Sequence, residues 1–168
     1  YSYINPLLTH VSGFRPESIT LLMVLAGFGM VVGNLVSGRL SDRFTPGRVA
    51  AFTQGSLSIL LLLIYFLASI SWLSVILMCL CTAGLFALSS PQRVLLIRFS
   101  PGGEMLGAAS VQVAFNLGNA IGAYCGGLPL QADLSYRYPA LLGTFFALVG
   151  FILLVLFSRK YETARQHV

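Results

Sequence analysis

A charged stretch at residues 33–50, GNLVSGRLSDRFTPGRVA, divides two long apolar runs and constrains the fold more than any other feature. Residues 19–37 carry no charged side chain, and residues 49–71 carry none either. Each run has about the ~20 residues, at ~1.5 Å rise, that a helix needs to cross a ~30 Å hydrocarbon core. The pattern therefore predicts two membrane-spanning helices joined by a tight turn at one membrane face.

The composition indicates a membrane protein and excludes a soluble globule. Hydrophobic residues make up 57% of the chain and charged residues only 9%, with a mean hydropathy of +0.85. A soluble domain would carry about 25% charged residues.

The other apolar runs complete an all-α membrane protein of six helices within one domain, residues 1–168. The first run is too short to span a membrane, so we expect a truncated first helix and a chain that begins inside it. Pro16 and Glu17 are residue types that favour the first turn of a helix, so the second helix should begin there. Pro91 should kink the fourth helix. The predicted ranges are about 1–10, 17–38, 47–68, 73–98, 104–128 and 138–157, followed by a tail over 158–168.

Basic residues are concentrated at alternate helix ends. Arg15 and Arg137 fall at one set of ends. The opposite set holds Arg39, Arg43, Arg48, Arg93, Arg98, Arg159, Lys160 and Arg165. By the positive-inside rule, these eight residues and the C-terminus are predicted to be cytoplasmic. The formal charge of +5 is then a consequence of membrane topology. The basic residues lie at helix ends, which argues against nucleic-acid binding, because that function needs a continuous basic face.

Three motifs resemble those of major facilitator superfamily transporters. Gly38-x-Leu40-x-Asp42-Arg43-Phe44, with Gly47-Arg48 beyond it, is similar to the signature loop between the second and third helices of each six-helix half. Thr45 stands where that pattern has glycine. The other motifs are AGLFALSSP at residues 83–91 and FNLGNAIGAYCGG at residues 115–127. Together they resemble the second half of AraJ-type sugar-efflux transporters over essentially the whole chain.

The resemblance implies the C-terminal six-helix half of a secondary transporter in the bacterial inner membrane. Such a transporter would export sugars or small sugar derivatives by proton antiport with alternating access. The implied partners are the lipid bilayer, an N-terminal six-helix half, a sugar-like substrate and protons. Since no titratable group lies at membrane depth here, either the proton site lies outside this chain or protons are not coupled.

Two other functions stay open. A multidrug exporter of the same fold would have a cavity dominated by aromatic and methionine side chains rather than amides. A non-transporting membrane scaffold would have no water-accessible polar cavity once joined to its other half. An enzyme is disfavoured because no Ser/His/Asp set, paired carboxylates or phosphate loop is present. No cofactor or metal is expected, because Cys79, Cys81 and Cys125 lack metal-ligand spacing.

The signature loop is a candidate for conformational gating through Gly38, Arg39, Asp42, Arg43 and Arg48. At a helix end, the Asp42 carboxylate can pair with arginines and cap a neighbouring helix. The resemblance implies that this loop holds the cytoplasmic side closed while the outer side is open. The alternative is that the charges only fix topology.

Amide side chains form a stripe on the predicted fifth helix. At about 100° per residue, Gln112, Asn116 and Asn119 fall on one face. Polar groups at membrane depth need partners or water, and amides suit uncharged hydroxylated ligands. The stripe is therefore predicted either to line the substrate path or to bond neighbouring helices. Tyr3 and Asn5 join the path candidates, because the resemblance places the first helix beside the central cavity.

Glycines form a second stripe on the same helix, at Gly118, Gly122 and Gly126, with Gly127 beside it. Small residues repeated every four positions let a neighbouring backbone approach closely, so the stripe predicts helix packing. Residues 122–127 are also similar to the Gly-Pro-x-x-Gly-Gly core of the superfamily's antiporter signature. Ala123 replaces that proline, so the sequence gives no proline to kink the helix here, and a direct role in antiport is the alternative to packing alone.

Polar residues outside these stripes are predicted to be structural. Asn34 should bond between helices, with ligand contact as the less favoured alternative. Gln54 and Ser58, one helical turn apart, should act as polar contacts between helices. His10 is predicted to lie at the outer end of its helix, as an interfacial polar residue or as a pH sensor.

Overall fold

The computed structural model describes residues 6–162, apart from the side chains of Pro16 and Glu162, as a bundle of helices. The first segment, α1, is a short stretch of π-helix, Leu7–Val11. The longer helices are α2 (Pro16–Arg43), α3 (Pro46–Leu67), α4 (Ser71–Arg98), α5 (Glu104–Gln131) and α6 (Tyr138–Phe157). A π-helical turn, Ser158–Glu162, continues α6. No strand occurs among the described residues, in agreement with the predicted all-α fold.

Among the described residues, four helices are long and apolar enough to cross a membrane: Glu17–Arg43, Pro46–Leu67, Ser71–Arg98 and Tyr138–Tyr161. Their outer surfaces carry large apolar side chains, such as Trp72 and Phe52, which are 80% and 75% exposed. Such surfaces suit a hydrocarbon environment, where helices satisfy their own backbone hydrogen bonds. α5 is as long as α2 but is not among the four, because amides and glycines interrupt its apolar residues. That α5 crosses the membrane stays a prediction.

The second helix extends beyond its predicted end at residue 38. α2 continues to Arg43, so the signature motif lies on its last turns, and the chain reverses only at Phe44 and Thr45. Thr45 is extended, with ψ 130°, because the residue before a proline disfavours the helical region. Pro46 then opens α3, where its missing N–H costs nothing. The proline, rather than Gly38, therefore makes the break.

Prolines inside two helices do not end them. α4 continues through Pro91 to Arg98, and α5 continues through Pro129 to Gln131, past its predicted end at residue 128. α6 has the predicted bounds. Within the described residues, the first helix ends at Val11, one residue beyond its predicted end.

Short connections make the helices alternate in direction, so the bundle has two distinct ends. At one end, which we call the Arg137 end, the Ser12 hydroxyl donates to the Ala68 carbonyl over 2.8 Å and lies 2.7 Å from the Ser74 hydroxyl. At the other, which we call the basic end, the rings of Phe99 and Phe157 meet edge to face at 5.0 Å. The basic end holds the described members of the larger arginine and lysine set.

The closest helix pair is α2 with α4, and small residues allow it. A Cβ built on Gly33 would overlap the backbone carbonyl of Ala83, and one on Gly29 would lie 3.3 Å from the Cys79 carbonyl oxygen. One turn further along α2, the Ser37 hydroxyl donates to the Ala87 carbonyl. Small residues at every fourth position of α2 thus bring two backbones together, as in other membrane helix pairs.

Candidate functional site

A cavity of about 1010 Å³ lies among α1, α3, α4, α5 and α6, with one residue of α2 at its wall. Its polar lining comprises Asn34, Gln54, Thr82, Ser89, Ser90, Gln92, Arg93, Gln112, Asn119 and Tyr136. Three phenylalanines, Phe86, Phe115 and Phe146, and many aliphatic residues complete it. Pockets of this size and mixed character are typical of small-molecule sites. We call it the central cavity.

Two of the three predicted α5 amides line the central cavity. Gln112 and Asn119 belong to the lining, whereas Asn116 does not. The Gln112 Nε2 donates to the Asn116 Oδ1 over 3.4 Å, one turn along the helix. All three side chains are exposed in this chain, so their remaining donors and acceptors are open to water, a ligand or another polypeptide.

The polar side chains of α4 near Pro91 were missed by the sequence reasoning. Arg93 was interpreted only as a marker of topology, yet it lines the central cavity with Ser89, Ser90 and Gln92. No acidic side chain lines the cavity within the described residues, so Arg93 gives it a positive charge. α4 stays helical through Pro91. Continuing the helical repeat past the proline could therefore have predicted that these polar side chains line the cavity.

Gln54 makes the predicted contact between helices. Its Nε2 donates to the Ala147 carbonyl of α6 over 3.1 Å, and it also lines the central cavity. Ser58 donates to the Gln54 carbonyl on the same helix, over 3.1 Å. Asn34, predicted to bond between helices, is exposed and faces the central cavity.

Two of the α5 glycines, Gly118 and Gly122, line the central cavity and make no close helix contact among the described residues. A Cβ built on Gly118 or Gly122 meets no atom within 4 Å among the described residues. Gly126 is buried and lines the cavity, and Gly127 is half-buried. A glycine repeat permits close approach but does not select the neighbour, and α5 makes fewer contacts with its neighbours than α2 makes with α4.

The signature motif has two faces. Its small residues lie on the inner side: Gly38 lies near Ser90 of α4, and the buried Ser41 donates to the Ser37 carbonyl of its own helix over 2.9 Å. Its charged residues, Arg39, Asp42, Arg43 and Arg48, are exposed at the basic end. Asp42 makes no ion pair with an arginine inside residues 6–162, so its carboxylate is available to a group outside this range.

Two predicted path residues, Tyr3 and Asn5, lie outside the residues that the structure describes. Leu7 of α1 lines the central cavity, so the described part of the first helix borders it. In the described ranges no cluster of His, Cys, Asp and Glu could hold a metal ion, and Cys79, Cys81 and Cys125 are free thiols.

Comparison with known proteins places these features in a family. The Major Facilitator Superfamily model matches residues 1–167. The transporter AraJ of Escherichia coli (strain K12) is 44% identical to this chain over 159 residues. The match covers 95% of this chain and 40% of AraJ. The inner membrane transport protein YdhP of the same strain is 32% identical over 160 residues, covering 95% of this chain and 41% of YdhP. A probable sugar efflux transporter of Pasteurella multocida (strain Pm70) is 24% identical over 161 residues, covering 96% of this chain and 39% of that protein.

The chain spans about two fifths of the length of the curated relatives it matches. No solved structure gives a significant match. The family model nevertheless covers nearly all of the chain, and the apolar helices suit a protein that crosses the membrane several times. The chain therefore belongs to the Major Facilitator Superfamily of membrane transporters.

Proposed function

We propose that this chain is the C-terminal half of a transporter that exports sugars or small sugar derivatives across the bacterial inner membrane. The observation that carries the proposal is the central cavity, into which α5 brings the Gln112 and Asn119 amides. Amides both donate and accept hydrogen bonds, so they can pair with the hydroxyl groups of a sugar. The names of relatives such as the sugar efflux protein of Pasteurella multocida support the same substrate class.

The lining of the central cavity favours sugars over amphipathic drugs. Five amide side chains line it, Asn34, Gln54, Gln92, Gln112 and Asn119, and no methionine does so among the described residues. A drug site would be richer in aromatic and methionine side chains, which adapt to varied apolar ligands. The polar side chains in this lining also favour a transporter over a membrane scaffold, which is expected to have no water-accessible polar cavity.

Proton antiport is the proposed driving force, with alternating access between this half and an N-terminal half. The described lining holds no Asp, Glu or His, so we expect the proton-binding residue in the other half. Substrate sites of such transporters lie between two halves that rock about them. We further propose that the basic end and the C-terminus face the cytoplasm, as the concentration of Arg and Lys there indicates.

Transport in liposomes tests this proposal. The full transporter that contains this chain is reconstituted, and uptake of a radiolabelled pentose is measured by counterflow and under an imposed pH gradient. We expect sugar counterflow and its acceleration by the gradient. Asn119→Ala should reduce transport roughly tenfold or more, through loss of a paired hydrogen bond, whereas Ser110→Ala on the same helix should not. Dye transport without sugar transport would instead indicate a multidrug exporter.

A further inference from the structure

A second cavity, of about 520 Å³, lies at the Arg137 end of the bundle. We call it the Arg137 pocket, and its lining comprises His10, Val11, Tyr65, Phe66, Ser135, Arg137 and Tyr138. These residues come from α1, from the end of α3, and from the start of α6 with the loop before it. The central cavity shares none of them. Tyr136, which lines the central cavity, stacks on His10 of the Arg137 pocket, with ring centroids 5.1 Å apart.

Within residues 6–162, no carboxylate pairs with the positive charge of the Arg137 pocket. Arg137 is half-buried, and neither it nor any other group in the described lining is joined to a carboxylate. The chain has five acidic residues, of which Asp42, Glu104 and Glu162 belong to the basic end. Glu17 and Asp133 share the Arg137 end but do not line the pocket. A guanidinium presents five N–H donors in a fixed fork, and a carboxylate or phosphate group matches that fork with two of them.

Aromatic rings form the apolar walls of the Arg137 pocket. Tyr65 meets Tyr138 edge to face at 5.8 Å and Phe66 at 5.1 Å, which fixes the rings at the junction of α3 and α6. Such rings provide flat surfaces for the apolar face of a ligand. A neutral ligand would leave the guanidinium unpaired in a partly buried site, whereas an anionic one would satisfy it.

We infer that the Arg137 pocket is a second ligand site, which binds an acid group carried on a small hydroxylated body. Two sources share this chemistry: a soluble sugar acid, and the headgroup of an anionic lipid, since aromatic residues of membrane proteins also gather at headgroup level. Binding at this pocket does not depend on the proposed export of sugars.

The test uses the full transporter, otherwise free of cysteine, with Ser135→Cys as a local reporter. Its labelling by uncharged N-ethylmaleimide is followed in nanodiscs of phosphatidylcholine, with added glucuronate or glucose, and in nanodiscs that contain phosphatidylglycerol. We expect glucuronate, but not glucose, to slow labelling. Slowing by phosphatidylglycerol alone would support the site and identify the lipid as its source. Unchanged labelling under every condition would overturn the inference.

Variants distinguish ligand recognition by Arg137 from a general loss of charge or of folding. Arg137→Gln should raise the half-maximal glucuronate concentration about tenfold or more, as expected for loss of a charge-assisted hydrogen bond. Arg137→Lys should retain part of the binding, because lysine keeps the charge but not the fork. Arg15→Gln is the matched control, because Arg15 is exposed at the same end and does not line the pocket. Thermal unfolding shows whether each variant is folded. Equal slowing in folded Arg137→Gln and Arg15→Gln would overturn the inference.

Discussion

At the scale of single residues, glycines show what a sequence pattern can and cannot determine. The four-residue repeat on α5 suggested close helix packing, yet Gly118 and Gly122 face open space among the described residues. The close approach instead occurs at Gly29 and Gly33 of α2, against the backbone of α4. Spacing along one helix shows that a neighbour could approach. Which neighbour does so depends on how all helices pack, and the sequence of one helix does not contain that information.

Replacement of Gly33 tests this contact. Gly33→Ala places a methyl group against the Ala83 carbonyl, which is backbone and cannot turn aside, so we expect destabilisation of about 1 to 3 kcal/mol. Gly27→Ala is the matched control, because a Cβ there meets nothing within 4 Å and the change in helix propensity is the same. The measurement is thermal unfolding of both variants of the full transporter. Equal stability of the two variants would contradict the predicted clash.

At the scale of helices, the end of α2 explains why the sequence identified the signature motif but did not predict that the motif is helical. The motif predicted a charged turn, whereas the structure keeps residues 38–43 helical and reverses the chain before Pro46. As a result, Gly38 faces α4, Ser41 is buried, and Asp42 is exposed near the turn. The sequence predicted the number of long helices and most of their bounds, because apolar length determines them. It did not predict the two faces of the motif, which depend on where the helix stops.

Substitution of Asp42 tests the proposed gating role of the motif. If Asp42 pairs with another group only when the cytoplasmic side is closed, that contact biases the two states by about 1 to 3 kcal/mol, or roughly 5- to 150-fold. We expect Asp42→Asn to slow transport by a factor in this range while sugar binding changes little. Glu104→Gln is the control, since Glu104 is an acidic residue at the same end that accepts a hydrogen bond from the Gly102 N–H over 3.0 Å. Equal transport by both variants would indicate that Asp42 only fixes topology.

At the scale of the whole molecule, the central cavity is a property that several helices create together. The α5 amides were found from the sequence because they interrupt an apolar helix. Gln92 and Arg93 were not found in this way. For Arg93 the reason is that a basic residue near a helix end is already explained by membrane topology. Asn34 and Gln54 also face the cavity, although a contact between helices was the favoured interpretation of each. Only the packing of the helices brings these side chains to one space.

Cysteine accessibility in the full, otherwise cysteine-free transporter tests most directly whether that space is a substrate path. Single cysteines replace Asn5, Gln112, Asn116 and Asn119, and a water-soluble maleimide is applied with and without candidate sugars. Ile59→Cys is the control, because Ile59 is exposed on α3 but does not line the central cavity, and thiols in lipid react poorly. We predict labelling at residues 112 and 119 that sugar suppresses, and little labelling at residue 59. If cysteines at all four positions stay unlabelled in every condition, the amides only bond helices together and the proposed substrate path is wrong.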